Sequence, residues 1–300
     1  MNEFNKIIKE IGKELGIKVT LLSDNWLTVL EKNNEIHYIQ GYKFDLNNHG
    51  IGNIMDDKGL FYDLMSYKHL PIIEHKVIFS DYQKDDVLAF FNSHNKEIIV
   101  KGNIGTCGME VFKVNDEERL FKVIDDLFLK EFSISLCPYY DIINEYRVIV
   151  LDNEARIIYG KERPKVIGDG VSNVKALAIK YNSLYLKKEE LIDNKDYIPK
   201  KGEEVILNFQ FNLSRGATMF NDIPNNLKAE LINLALKVTK SLDITFGSVD
   251  IIYTKDNRFY VMEANSGVMM DNYIRFNKEK GYIDAYNLYK DAIKLMFKKR

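Results

Sequence analysis

Three stretches of this chain read as strand pairs closed by short polar turns, and any fold it adopts must accommodate all of them. "WLTVLEKNNEIHYIQGY" turns at Asn33-Asn34, "EYRVIVLDNEARIIYGKERP" at Asp152-Asn153, and "GSVDIIYTKDNRFYVMEAN" near Lys255-Asp256-Asn257. Asn and Asp tolerate the positive φ that tight hairpin turns need, and apolar residues flank each turn. Segments of helical period lie between the pairs: residues 4–15, "DDKGLFYDLMSYKHLPII" with Asp56 or Asp57 as its cap, "PNNLKAELINLALKVTKSLD", and the closing "DAYNLYKDAIKLMFKKR". "KVTLLS" reads as a further strand, and "KVIFS" through "FSISLCPYY" as a β-α-β-β-α-β run with its helices on one face of a sheet. The Lys-rich "ALAIKYNSLYLKKEELIDNKDYIP" reads as a helix running into a loop. The class is α+β.

At 300 residues the chain exceeds what one compact core usually needs. The pattern divides it into a small N-terminal α/β unit over 1–75, a subdomain with a Gly-rich loop over 76–137, and a larger subdomain over 138–300. Basic residues number 42 against 44 acidic, for a net charge of −2, and the two signs are interspersed. That distribution excludes the footprint of a nucleic-acid binder and leaves small molecules as partners. Cys107 and Cys137 form no CxxC pair and have no His pattern beside them, which argues against a disulfide framework or a zinc site and for a reducing compartment. The opening "MNEFNKIIKEIGKELG" lacks the apolar stretch of a signal peptide, and no apolar run reaches the ~18 residues of a membrane span. A cytoplasmic protein without a membrane partner is expected.

The chemistry concentrates in two places. In "VMEANSGVMM", Glu263 and Asn265 stand two positions apart on a strand, so both side chains look to one face. The hairpin brings Asp250 alongside them. Two carboxylates and an amide oxygen, without His or Cys, make a hard-oxygen set suited to Mg2+. "VKGNIGTCGMEV" ends an apolar strand on Lys101 and continues through Gly102, Gly105 and Gly108. Backbone amides approach a phosphate closely where side chains are missing, and Lys101 would place its ammonium on a polyphosphate. Lys58, Arg163 and Arg215 are further cations near chain breaks. Together these are the parts needed to bind ATP and stabilise phosphoryl transfer.

In order and wording, "EYRVIV", "ERPKVIGDGVSNVKAL", "NLSRGA" and "MEANSGVMM" resemble the ATP-grasp superfamily, in particular ligases of the cyanophycin-synthetase and bifunctional glutathione-synthetase type. The resemblance implies an ATP-grasp fold, with nucleotide held between two α+β subdomains, 76–137 acting as the lid and 138–300 as the core. It implies that Lys58 and Lys101 contact the ATP phosphates, with Gly105, Thr106, Cys107 and Gly108 in the loop above them. Cys137, Pro138, Tyr139 and Tyr140 would form the hinge over adenine, and Glu145 would reach the ribose. Arg163 and Arg215 would hold the γ-phosphate and the reacting acyl group. Asp250, Glu263 and Asn265 would bind two Mg2+ ions, with Mn2+ able to substitute. The sequence departs from its relatives at Gly108-Met109-Glu110, where a carboxylate stands in place of the second glycine, and around Pro138-Tyr139, where the hinge acid is replaced.

The activity so implied is ATP-dependent joining of a carboxylate, from an amino acid or short peptide, to an amine through an acyl phosphate. A kinase of the same fold and a non-catalytic ATP-binding module are the alternatives. A homodimer is left open.

Overall fold

In the computed structural model, which describes residues 3–104 and 110–298, the chain begins with α1 (Glu3–Leu15), an amphipathic helix that buries Phe4, Ile7, Ile8 and Ile11. β1 (Lys18–Leu22), β2 (Leu27–Lys32), β3 (Glu35–Gln40) and β4 (Lys43–Phe44) follow as an antiparallel sheet in sequential order. Asn33 and Asn34 turn β2 into β3 at φ of 50° and 64°, the left-handed values that a twisted two-residue turn demands. Two helices then stand where the sequence reading had one. α2 (His49–Asp56) is capped by the Asn48 side chain; its Gly50 and Gly52 lower helix propensity enough to hide it from periodicity. α3 (Lys58–Tyr67) is capped by Asp57, whose carboxylate accepts from the Leu60 amide at 2.9 Å.

β5 (Lys76–Ile78), α4 (Lys84–Ser93), β6 (Ile98–Gly102), β7 (Val111–Val114), α5 (Glu117–Phe128) and β8 (Ile134–Pro138) form the expected β-α-β-β-α-β run, paired in the order β5-β8-β6-β7. Val87 and Phe91 of α4, and Leu120 and Ile124 of α5, share one core with Val100 and Leu136 of the strands.

The remaining elements are β9 (Ile142–Leu151), β10 (Glu154–Glu162), β11 (Lys165–Ile167), α6 (Val174–Tyr181), β12 (Glu204–Ile206), β13 (Thr218–Phe220), α7 (Asn225–Ser241), β14 (Phe246–Thr254), β15 (Phe259–Asn265) and α8 (Asp271–Met296). β11 and β12 pair as a separate ribbon, and the others form a sheet in the order β13-β10-β9-β14-β15. Strand alternation decides which face of that sheet meets which helix. Tyr146, Val148 and Val150 of β9 pack under Leu231, Ala235 and Val238 of α7. Ile149 and Leu151 point the other way, into a core built from α1, β4 and α8, including Ile7, Phe44, Leu288 and Tyr289. The N-terminal unit therefore shares its core with the last helix and the large sheet. Among the described residues no helix is long and apolar enough to cross a membrane.

Candidate active site

The face of β9 that carries Ile149 and Leu151 into the core carries Arg147 and Glu145 farther along. Both face charged partners directly across the sheet. Lys161 on β10 is the register partner of Glu145, Asp250 on β14 that of Arg147, and Glu263 on β15 that of Asp250. Arg147 donates from Nε to Asp250 Oδ1 at 2.6 Å and from Nη2 to Oδ2 at 2.5 Å, a bidentate fork. The Lys161 ammonium donates to Glu145 and stands 3.6 Å from Asp250 Oδ2. Asp250 is 1% exposed, Lys161 5% and Glu145 7%, so these charges have little water and depend on one another. Burial opposes ionisation of Asp250, but Arg147 and Lys161 outweigh it and hold the carboxyl at about 2. Burial pushes the Glu145 carboxyl up, and the Lys161 ammonium offsets this only in part.

A second cluster is built from the other sheet and α3. Lys58 occupies the first turn of α3 and donates from Nζ to the Asn103 carbonyl at 3.0 Å, while Asn103 Oδ1 accepts from the Gly59 amide at 3.1 Å. Gly59 is required there, because a Cβ would lie 2.3 Å from Val77 Cγ2 on β5. Lys101 on β6 pairs in register with Ser135 on β8, whose hydroxyl is 2.6 Å from His75 Nδ1. Burial, then the Lys101 charge, lower Lys58 to about 8, while Glu263 and Asp57 pull the other way. Burial, Lys101 and Lys58 together keep His75 neutral. Lys58 on α3 is thus within electrostatic reach of both Lys101 on β6 and Glu263 on β15.

The low value for Lys58 carries a pH prediction. At pH 8 about half of the free protein holds this ammonium, and a bound polyphosphate favours the charged form. ATP affinity is expected to fall as pH rises from about 8 toward 10, by up to about tenfold per unit for one required proton. Lys58→Arg, charged throughout, should flatten the profile; nucleotide titrations across that range check it. Linkage to folding runs in the opposite direction with pH. The unfolded lysine binds its proton more tightly, so this group's contribution to stability rises between about pH 8 and its ordinary value of 10.5.

Other residues singled out in the sequence occupy distinct settings. Cys137 to Tyr140 lead from β8 of one sheet toward β9 of the other. Cys137 is buried, and burial pushes its thiol up. Lys113 lies 3.5 Å over the Tyr139 ring, and the Tyr140 and Tyr260 rings are 5.2 Å apart, so the connection is pinned to both sheets. Arg163 donates to the Ile142 carbonyl at 3.2 Å and lies over Phe211. Arg215 ends a short turn, Leu213–Arg215, and its buried Nε has no partner among the described residues. The turn closes on Gly216 at φ 98°, where a Cβ would lie 1.9 Å from the Tyr185 hydroxyl. Gly105, Thr106, Cys107 and Gly108 lie outside the described residues. Glu110 adopts φ 53°, a value that glycine takes without strain, and its carboxylate accepts from Lys130 at 2.6 Å.

Two of these residues are paired in the structure. Asp250 lies beside Glu263, with the Arg147 fork across both of its oxygens and only 1% of its surface exposed, so an ion would reach it only if the guanidinium moved. Glu145 is buried and accepts from Lys161 through one of its two oxygens. Arg147 and Lys161 were missed. Their signal was the Glu145-x-Arg147 spacing, which places two opposite charges on one face of a strand. Among the described residues no group of three His, Cys, Asp or Glu side chains is arranged to hold a metal. The available oxygen donors are Glu263 and Asn265, half-buried side by side with Asn265 Nδ2 3.2 Å from Glu263 Oε1. Such a pair fits Mg2+, which needs few protein oxygens when phosphates and water complete its shell. An open depression of about 720 Å³ within residues 189–197 contains none of these groups, so the charged clusters locate the site better than concavity does.

Residues 200–285, which include α7, the β14-β15 hairpin and the start of α8, match the family described as RimK-like ATP-grasp domain. The chain is 25% identical over 199 residues to a glutathione biosynthesis bifunctional protein of Streptococcus mutans; the match covers 64% of this chain and 24% of that protein. Among solved structures, a bifunctional glutathione synthetase from Pasteurella multocida superposes with a TM-score of 0.58 at 19% identity, over 100% of this chain and 44% of that one. A D-alanine–D-alanine ligase from Bacillus anthracis gives a TM-score of 0.53 at 16% identity, covering 82% of this chain and 71% of the ligase. The chain thus spans about a quarter of the curated relative and under half of the first solved one.

Proposed function

The chain has the ATP-grasp fold and carries a RimK-like ATP-grasp segment, and from that premise we propose that it is an ATP-dependent carboxylate–amine ligase. One feature supports the reading. Lys58, bonded to the Asn103 carbonyl just beyond the strand that carries Lys101, is within electrostatic reach of Lys101 and of Glu263, which stands beside Asn265 on the hairpin within the RimK-like segment. Cations opposite a hard-oxygen pair are what an ATP phosphate chain and its metal require.

In this reading the nucleotide lies between 76–137 and 138–300, with Cys137 to Tyr140 as the hinge beside adenine. Lys58 and Lys101 bind the phosphates. Glu263 and Asn265 hold Mg2+, which when bound neutralises phosphate charge and orients the transferring group. Arg215 stabilises charge developing on that group. Lys161, oriented by Glu145, adds a positive field from below. A substrate carboxylate attacks the γ-phosphorus to give an acyl phosphate and ADP; an amine then attacks the acyl carbon, loses a proton and expels phosphate. The protein supplies positioning and electrostatics with no covalent nucleophile. Residues 1–75 brace the larger subdomain through their shared core. The substrates are an amino acid or short peptide and an amine.

Interception of the acyl phosphate tests the proposal. With ATP, Mg2+ and a panel of amino-acid and peptide acids, hydroxylamine should replace the amine and yield a hydroxamate together with ADP. A stable phosphorylated alcohol with no hydroxamate would establish a kinase instead, and ATP binding without ADP release a non-catalytic module.

A further inference from the structure

An ion held by Glu263 and Asn265 has Asp250 as its neighbouring carboxylate, directly across the β14-β15 pair. Yet Asp250 is closed. The charged groups that face it are Arg147 from β9, Lys161 from β10 and Glu263 from β15. Arg147 with Asp250, and Lys161 with Glu145, make two balanced pairs, so Glu263, which hydrogen-bonds toward Asp250 and lies within electrostatic reach of Arg147 and Lys58, is the carboxylate of this ladder without a salt bridge among the described residues. A bare divalent ion arriving here meets one open carboxylate. Asp250 is 1% exposed behind the Arg147 fork, so to gain the second the ion must displace the guanidinium and leave a largely buried cation without its counterion, which is strongly unfavourable. Two oxygens of a phosphate group brought by a nucleotide can accept from the planar guanidinium fork and would replace the lost carboxylate.

We propose that Arg147 is a positioning residue that keeps Asp250 closed to a bare divalent ion and releases it only when nucleotide phosphates are present to receive the guanidinium, so that metal and nucleotide bind as one cooperative event. The proposal rests on the nucleotide site of the ligase reading. It assigns Arg147 a role in the order of loading: the ion that enters is the one that accompanies ATP. Coupling of this kind is reciprocal, so the metal must tighten nucleotide binding by the same factor as the nucleotide tightens metal binding.

The test is a Mn2+ titration followed by electron paramagnetic resonance on the full chain, with and without a non-hydrolysable ATP analogue. Wild type should bind bare Mn2+ weakly and gain strongly with the analogue. Arg147→Met should bind bare Mn2+ more tightly by on the order of ten- to a hundredfold, the range that a hydrogen bond to a charged group spans. Its gain from the analogue should shrink correspondingly, and adding Asp250→Asn should cancel the new affinity. Arg147→Lys keeps the charge but loses the fork and should fall between; it carries the test if the Met variant fails to fold by circular dichroism. A residue that merely braces the fold would lower metal affinity in both variants. Unchanged or weaker bare-Mn2+ binding in the variants, with Glu263→Gln still abolishing the analogue-dependent site, overturns the closed-carboxylate proposal and leaves the ligase reading standing. Absence of Mn2+ binding in every protein, even with the analogue, overturns both.

Discussion

Glu263→Gln is expected to lower turnover by about two to three orders of magnitude while the protein stays folded. The substitution preserves shape and removes one negative charge from the pair that faces the lysines. Glu263 is half-buried rather than sealed, and its neighbour Asn265 can hydrogen-bond to an amide as well as to a carboxylate, so the fold should lose no more than about 1 kcal/mol. Steady-state ADP release at saturating Mg2+, with a urea melt of the same preparation, checks both parts. Near-wild-type turnover would remove Glu263 from the site.

Asp250→Ala should fail in the opposite manner. Arg147 and Lys161 would keep their charges in a place with little water and lose the carboxylate that both depend on, and removing one member of a buried pair costs about 3–5 kcal/mol. Equilibrium urea unfolding measures this directly. A loss below about 1 kcal/mol would show that water reaches these cations and that the ladder is not a buried network. If Asp250 and Glu263 were equivalent open ligands, the two variants would behave alike; the structure predicts one that unfolds easily and one that folds and does not turn over.

Both predictions turn on a feature smaller than a hairpin. In β14-β15, Ile251 stands opposite Val261, but a bulge between Ile251 and Asp250 brings Asp250 opposite Glu263 instead of Met262. In β9-β10, Glu154 stands opposite Leu151, and a bulge between Ala155 and Ile157 brings Lys161, not Gly160, opposite Glu145. A bulge inserts one unpaired residue, and a one-residue shift changes which side chains share a face. Strict counting back from the turns leads to Gly160 and Met262; the sequence places Asp250 only in the neighbourhood of Glu263 and Asn265, not directly opposite Glu263. Without these bulges the charged ladder does not form.

Much was legible earlier. The turns at Asn33-Asn34 and Asp152-Asn153 are local, since Asn and Asp accept positive φ at low cost, and both adopt it. The Asp57 cap is equally local, because its carboxylate reaches an amide three residues on. The i, i+2 relation of Glu263 and Asn265 follows from the pleat of one strand. α2 was missed since two glycines mask its period, and α8 was begun too late because its backbone breaks at Lys278 (φ 53°) and the sequence pattern is regular only beyond that kink. The neighbours of each candidate charge lie on segments a hundred residues apart, as with Arg147 and Asp250, and the convergence of Lys58, Lys101 and Glu263 requires two sheets to be placed side by side. The sequence by itself determined which segments become strands and helices, through backbone preferences spanning a few residues. Only the tertiary structure decided that Asp250 answers to Arg147 before it can answer to a metal, because register, bulge and burial belong to pairs of strands and not to either strand alone.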